Sequence, residues 1–419
     1  MKILVLGSGA REHSIVMALA RENTHTLYAA PGNAGTAELA ENLALDPTNP
    51  AVVTDIATDL GVDLVVIGPE APLVAGVADA LRAKKIAVFG PNHKAAAIEG
   101  SKSFAKEVMS SAGVPTGASE TVSTIEELTA ALDKVGAPYV VKADGLAAGK
   151  GVLVTDDRQA AIDHAAYYLQ DGTVVVEEFL DGPEVSLFFL SDGTTVVPLA
   201  PAQDYKRAFD GDAGPNTGGM GAYSPLNWLD DDFVEVVTST IAQPTIDELA
   251  KRNMPFVGLL YCGLIVTTDG VKVIEFNARF GDPETQVVLA RLSSPLAPLL
   301  LACASGTLAQ EDEPEFSPDV AITVVLASEG YPESPHTGRE ITGLDRALAI
   351  PGVSIAHAAT APEDGGLIAT GGRVLSVIAT GAAFDEARSR AYDALDQISL
   401  EGGHYRRDIA ARVSDEHAG

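Results

Sequence analysis

Positive charge is scarce in this chain: 28 lysines and arginines stand against 58 aspartates and glutamates, for a formal net charge of −30. No extended basic stripe interrupts that balance, which excludes the phosphate-neutralising surface that nucleic acid demands and one suited to anionic membranes. Cysteine is nearly missing. Cys262 and Cys303 stand alone among apolar neighbours (LLYCGLIV and LLLACASG), which excludes a disulfide framework and reads as two free buried thiols. No apolar run approaches the length of a membrane span, and no leader-like segment precedes the first strand-like run. The expectation is a cytoplasmic chain. What is present is ample core material: 419 residues, 46% of them hydrophobic, enough for roughly three domains. An anionic substrate would have to be met by locally gathered cations or backbone N–H groups.

The first hundred residues alternate apolar strand-like runs (2–6, 24–29, 63–67, 86–89) with helical segments that include 11–21 and 74–82, the pattern of a doubly wound parallel sheet. Each strand ends in a glycine turn: GSG, PGNAG, GPEAP and GPN. Ligands of open α/β sheets bind at such carboxyl ends. The first turn, with Gly9, nearly matches the dinucleotide fingerprint G-x-G-x-x-G, but Glu12 stands at the third glycine and the end of the second strand carries no carboxylate. Both departures exclude NAD. A helix N-terminus beside Arg11 suits a single phosphate or carboxylate instead. His13, one turn into that helix, reads as structural.

The texture changes near residue 100. An amphipathic helix (GSKSFAKEVMSSAGVP) closes on glycine and proline. Then YVVKADGLAAGKGVLVT places Gly145, Gly149, Lys150 and Gly151 between two strands. The spacing is not that of a Walker A loop, yet a glycine loop between antiparallel strands can fold over phosphates. Further on, VVVEEFLDGPE sets Glu177, Glu178, Phe179, Leu180 and Glu184 around a turn. In VIEFNARFGDPETQ, Glu275 and Asn277 are two apart at a strand end and so share a face. A carboxylate and a carboxamide there are hard oxygen ligands suited to Mg²⁺. Arg279 continues that face if the strand reaches that far, as a candidate phosphate clamp. The stretch 203–225 is long enough to suggest function. The last ninety residues read as an α+β unit, with Phe384, Ala387, Ala391, Leu395 and Ile398 on one helix face.

Lys142, the glycine loop, Glu177 to Leu180, Glu184 and Glu275-x-Asn277 together resemble the ATP-grasp superfamily. GAREH, PGNAGT, GPEAPLVAGV, EGSKSF, VKADGLAAGKGV, EEFLDGPE, GPNTGGMGAYSP, VIEFNARFGDPETQ and GGRVL, spread over residues 7–374, resemble its phosphoribosylamine–glycine ligase family. That resemblance implies an α/β and α+β multidomain fold. Its parts would be a doubly wound amino-terminal domain (1–101), an ATP-grasp domain (102–320, with a lid at about 118–190) and a carboxyl-terminal α+β domain (321–419). It also implies roles. Lys102 and Lys142 would contact ATP phosphates, with Lys142 and Arg279 catalytic and 145–151 closing over the triphosphate. Glu177 and the Leu180 backbone would face adenine, beside Glu178 and Phe179, and Glu184 would take the ribose hydroxyls. Glu275 and Asn277 would hold Mg²⁺ or Mn²⁺. Gly9, Arg11, Glu12, Asn33 and Glu70 would line the phosphoribosylamine site, with Asp204, Asn216 and Arg373 as further substrate contacts. The implied reaction joins glycine to 5-phosphoribosylamine through glycyl phosphate, in purine biosynthesis, on small molecules alone; a monomer is one expectation, and the sequence does not give the oligomeric state. One departure stands out. Many relatives carry another acidic metal ligand on the preceding strand, where this chain reads Tyr261-Cys262-Gly263-Leu264. Two rivals, an ATP-grasp ligase for a different acid or amine and a non-catalytic nucleotide sensor, are opposed by RFGDPETQ and GPNTGGMGAYSP, and by the intact Lys142, Glu275 and Asn277, respectively.

Overall fold

The computed structural model describes residues 1–145 and 151–415. Its amino-terminal sheet is parallel throughout, in the order Glu41–Asn42, Thr26–Pro31, Lys2–Gly7, Leu64–Ile67, Ala87–Phe89. Parallel neighbours need crossovers, and helices such as Ala10–Ala20 and Pro50–Leu60 supply them. Layers on both faces leave no place for an alternating polar side, which is why Ile3, Leu4, Val5 and Leu6 are all fully buried. The strand order reverses between Lys2–Gly7 and Leu64–Ile67. That switch point opens at Gly7–Gly9 and Gly68–Glu70, where this architecture binds ligands. The helix expected over 74–82 is two helices, Glu70–Val74 and Val77–Ala83. Gly76, at φ +80°, breaks it in the left-handed region that other residues avoid.

Two four-stranded antiparallel sheets follow. One orders Ser119–Val122, Val174–Glu177, Tyr139–Ala143, Val152–Thr155, so the expected hairpin across the glycine loop is present. Helices Ile125–Val135 and Arg158–Tyr168 back this sheet around a core of its own, built on Leu128, Leu132, Val141, Ala161 and Val176. The other orders Val196–Pro198, Glu184–Asp192, Val257–Thr267, Gly270–Asn277. Cys262 and Cys303 are free and buried, as expected.

The carboxyl-terminal sheet runs Gln203–Asp204, Gly221–Ser224, Val320–Ala327, Arg373–Gly381, Val353–His357. Its first two strands come from the long 203–225 stretch, which is therefore anchored in the carboxyl-terminal unit. Helix Phe384–Leu395 buries Phe384, Ala387, Ala391 and Leu395 against it. Ile398 lies beyond the helix end. Among the described residues, no helix is long and apolar enough to cross a membrane.

One side chain packs under the glycines of the switch point. Glu12 is 2% exposed and packs its carboxylate against Gly7 and Gly68, where any Cβ would overlap it. Gly68→Ala should therefore lower stability by about 1–3 kcal/mol through overpacking, read as a drop in Tm. An unchanged melting curve would mean that Glu12 is not fixed there.

Candidate active site

Glu275 and Asn277 lie at the end of Gly270–Asn277, on one face as the period of two requires. The register continues that face across the sheet: Glu275 is opposite Gly263, which is opposite Ser186, and Asn277 is opposite Tyr261. Gly263 leaves the space beside Glu275 open. A Cβ there would come within 3.2 Å of Glu275 Cγ. Burial pushes the Glu275 carboxyl up, but Lys206, Lys142, Lys102 and Arg279 outweigh it and hold the group below the ordinary glutamate range. It is a carboxylate kept charged by four cations.

Those cations arrive from different elements. Lys142, on the inner strand Tyr139–Ala143 of the first antiparallel sheet (the lid sheet), is 4% exposed; its ammonium donates to the Ile274 carbonyl at 3.1 Å and pairs with Glu177 Oε2 at 2.8 Å. Glu177 thus faces lysines. Lys102 opens the helix Lys102–Ala112, capped by Ser101, and donates to the Gly145 carbonyl at 3.0 Å, where the glycine loop begins. Burial draws its pKa down. Asp144, which the motif reading passed over, accepts the Lys102 N–H at 2.7 Å, a carboxylate on a helix N-terminus. Thr173 donates to its other oxygen at 2.9 Å, so Asp144 ties the loop's base to that helix. Gly149 and Lys150 lie outside the described residues. Glu178 accepts the Ala118 N–H at 3.1 Å, and Phe179 is exposed. Glu184 pairs with Lys206.

Arg279 does not stand free on the Glu275 face. It pairs with Glu99 at 2.9 Å and Glu70 at 3.3 Å, and these carboxylates hold its guanidinium protonated despite burial. At the switch point Arg11 pairs with Glu12 at 2.5 Å, while Gly9 N–H donates to the other Glu12 oxygen at 2.7 Å. The helix N-terminus expected to be open is thus partly satisfied from within. Arg11 and Arg279 both donate to the Phe280 carbonyl at 3.2 Å, so the amino-terminal turn and the Glu275 strand meet at one atom. Asn33 closes its own loop: its oxygen accepts the Gly35 and Thr36 N–H groups at 2.9 Å, and its amide donates to the His357 carbonyl at 2.7 Å. His13 accepts the His357 N–H at 2.8 Å, and burial beside His357 lowers its pKa to about 3. That is the structural role expected of it.

From the carboxyl-terminal side, Arg373 donates to the Gly218 carbonyl at 2.6 Å and pairs with Asp282 at 3.1 Å, fastening the 203–225 stretch to RFGDPETQ. Asn216 is exposed, opposite Arg207. Asp204 and Lys206 sit near Glu184 and Glu284. Glu284, missed in the sequence although it lies in the most specific motif, is 3% exposed and accepts from Tyr261 at 2.9 Å and Ser186 at 3.0 Å. Only the fold reveals Lys206 and Glu284, because their partners are remote in sequence.

Among the described residues no three His, Cys, Asp or Glu side chains gather as a self-contained metal site. Glu275 and Asn277 fit a different arrangement: one charged and one neutral oxygen, suited to Mg²⁺ that takes its other ligands from phosphate and water.

Three comparisons bear on this cleft. Family models described as the phosphoribosylglycinamide synthetase N domain, ATP-grasp (A) domain and C domain match residues 1–99, 100–285 and 321–412. A phosphoribosylamine–glycine ligase of Leifsonia xyli is 65% identical over 417 residues, 99% of this chain and 100% of the relative. The crystal structure of the Thermotoga maritima phosphoribosylamine–glycine ligase superposes with a TM-score of 0.85 at 35% identity, covering 98% of this chain and 100% of that one. A biotin carboxylase domain of Hydrogenobacter thermophilus, 18% identical with a TM-score of 0.74 over 96% of this chain and 91% of its own, shares the fold.

Burial, with Glu284 and Glu184 nearby, pushes the Asp204 carboxyl up to about 7 against the pull of Lys206. A carboxyl raised in the folded state contributes stability below its unfolded pKa and loses it as pH rises through the folded one. Asp204→Asn should therefore gain on wild type as pH climbs from about 4 to 7. Denaturant titrations across that range check this; a pH-independent difference would contradict it.

Proposed function

The chain belongs to the phosphoribosylglycinamide synthetase family and ligates glycine to 5-phosphoribosylamine with ATP, in purine biosynthesis; from that premise we propose how its cleft performs the reaction. The observation that carries the proposal is the convergence of Lys102, Lys142 and Lys206 on Glu275, beside Asn277. Glycine's carboxylate is a poor electrophile. One of its oxygens attacks the γ-phosphorus of ATP, the bond to the β,γ-bridging oxygen breaks, and ADP leaves. The amine of 5-phosphoribosylamine then attacks the carbonyl carbon of glycyl phosphate; phosphate departs and the amine gives up a proton. Such chemistry depends on placement and charge neutralisation, so it needs no nucleophilic side chain.

Lys102 and Lys142 take the triphosphate, with Gly145 and Gly151 bounding the loop above it. Glu275 and Asn277 hold Mg²⁺ or Mn²⁺, which when bound offsets negative charge on the transferring group. Adenine lies against the Leu180 backbone beside Glu177, Glu178 and Phe179. Glu184, partly exposed in its pair with Lys206, has an edge left for the ribose hydroxyls. Phosphoribosylamine takes the switch point, bordered by Gly9, Arg11, Glu12, Asn33 and Glu70. Its nearness to the phosphoryl site is supported by the shared Phe280 carbonyl. Arg279, braced by Glu70 and Glu99, serves the transferred phosphate. Asp204, Asn216 and Arg373 close the glycine side. The working units are 1–101, 102–320 with its lid at about 118–190, and 321–419. We place the enzyme in the cytoplasm as a monomer, and its charge of −30 supports the absence of nucleic-acid and membrane partners.

Acid-dependent ADP formation, compared between glycine and other small acids, tests this assignment; equal rates with acids lacking an amine would defeat it. Glu275→Gln should lose roughly a hundredfold or more in turnover, the scale of removing one charge-stabilising group, and wild-type turnover at ordinary Mg²⁺ would reject the metal role. Arg11→Ala should raise KM for phosphoribosylamine roughly ten- to a hundredfold, the worth of a charge-assisted bond, with KM for ATP little changed. A loss on ATP instead would reverse the two sites.

A further inference from the structure

Lys106 lies one turn beyond Lys102 on the helix Lys102–Ala112. Its ammonium is largely buried and reaches three acceptors: Thr116 Oγ1 at 2.8 Å, the Gly117 carbonyl at 3.1 Å and Glu177 Oε1 at 3.4 Å. Thr116 in turn donates to the Val273 carbonyl at 2.7 Å, and Val273 N–H donates to the Pro115 carbonyl at 2.8 Å. Lys106 is thereby fixed to the strand that carries Glu275, at the point where the chain enters the lid sheet. The exit is stitched to the same place, because Glu178 N–H donates to the Ala118 carbonyl at 2.8 Å.

Glu177, 5% exposed, meets two ammonium groups, one on each oxygen: Lys106 from the helix and Lys142, at 2.8 Å, from the lid sheet. One cation would be enough for charge balance. The second matters when a triphosphate arrives and competes for Lys142. Were Lys142 the only partner, its turn toward phosphate would strand a buried carboxylate, and removing one member of a buried pair is strongly unfavourable. With Lys106 in place, Glu177 stays compensated. We infer that Lys106 is a positioning residue for phosphoryl transfer: it retains Glu177 so that Lys142 is released to the triphosphate. The inference rests on the assignment of Lys142 to the phosphates.

The test is equilibrium binding of β,γ-imido-ATP with Mg²⁺, alongside KM for glycine. Lys106→Met should weaken the analogue about tenfold or more, as for loss of a buried partner, and leave KM for glycine within about twofold. Lys106→Arg should restore most of the affinity. In a Glu177→Gln background the carboxylate is gone and Lys106 is no longer needed, so adding Lys106→Met should change affinity by less than about twofold. That pair carries the test alone if Lys106→Met does not fold. The same tenfold loss in the Glu177→Gln background would overturn the inference. Wild-type affinity in Lys106→Met, with Lys142→Ala weakened, would overturn it while sparing the reading of Lys142. Undiminished affinity in Lys142→Ala would overturn both.

Discussion

A half-buried carboxylate surrounded by four cations organises this protein. Glu275 would favour its neutral form in so dry a place, but Lys102, Lys142, Lys206 and Arg279 hold it ionised. The four come from the helix that opens the ATP-grasp segment, the lid sheet, the 203–225 stretch and the end of the Glu275 strand itself. A buried network of cations and carboxylates is a poor arrangement for stability alone, since long side chains are ordered and desolvated to make it. It suits a site awaiting a polyanion that brings its own charge. Each of three cations also has its own carboxylate partner: Glu177 on Lys142, Glu184 on Lys206, Glu70 and Glu99 on Arg279.

The same economy joins the structural units. Arg11 from the first helix and Arg279 just past the Glu275 strand share the Phe280 carbonyl, while Arg373 from the carboxyl-terminal sheet binds Gly218 and Asp282. RFGDPETQ is therefore a junction. Its arginine, its carbonyls and its acids each fasten a different part of the chain, and Glu284 within it reaches back to the sheet through Tyr261 and Ser186. This junction is where the amino-terminal segment and the segment after Glu275 touch.

Much of this was legible in the sequence where the cause is local. Four apolar runs ending in glycine turns gave away a two-faced parallel sheet, and the period of two placed Glu275 beside Asn277. The failed dinucleotide fingerprint was informative, because Glu12 proves to be what the glycines at 7 and 68 make room for. What stayed hidden depends on pairing between distant segments. Nothing near Arg279 announces Glu70 or Glu99. Nothing in QDYKRAF tells that Gln203–Asp204 joins the carboxyl-terminal sheet or that Lys206 turns to Glu184. Nothing in VVKADGL tells that Asp144 accepts the Lys102 N–H. The break at Gly76 was visible as a glycine, but one glycine inside a helical pattern does not by itself mark a stop.

The central claim is that the gathered cations deliver the γ-phosphoryl group to glycine before the amine takes part. Positional isotope exchange in ATP labelled with ¹⁸O at the β,γ-bridge measures this directly, with Mg²⁺ and glycine present and phosphoribosylamine omitted. The label should scramble into the non-bridging β-positions when glycine is added and stay in place without it. Scrambling that ignores glycine, or none in its presence, would contradict the account.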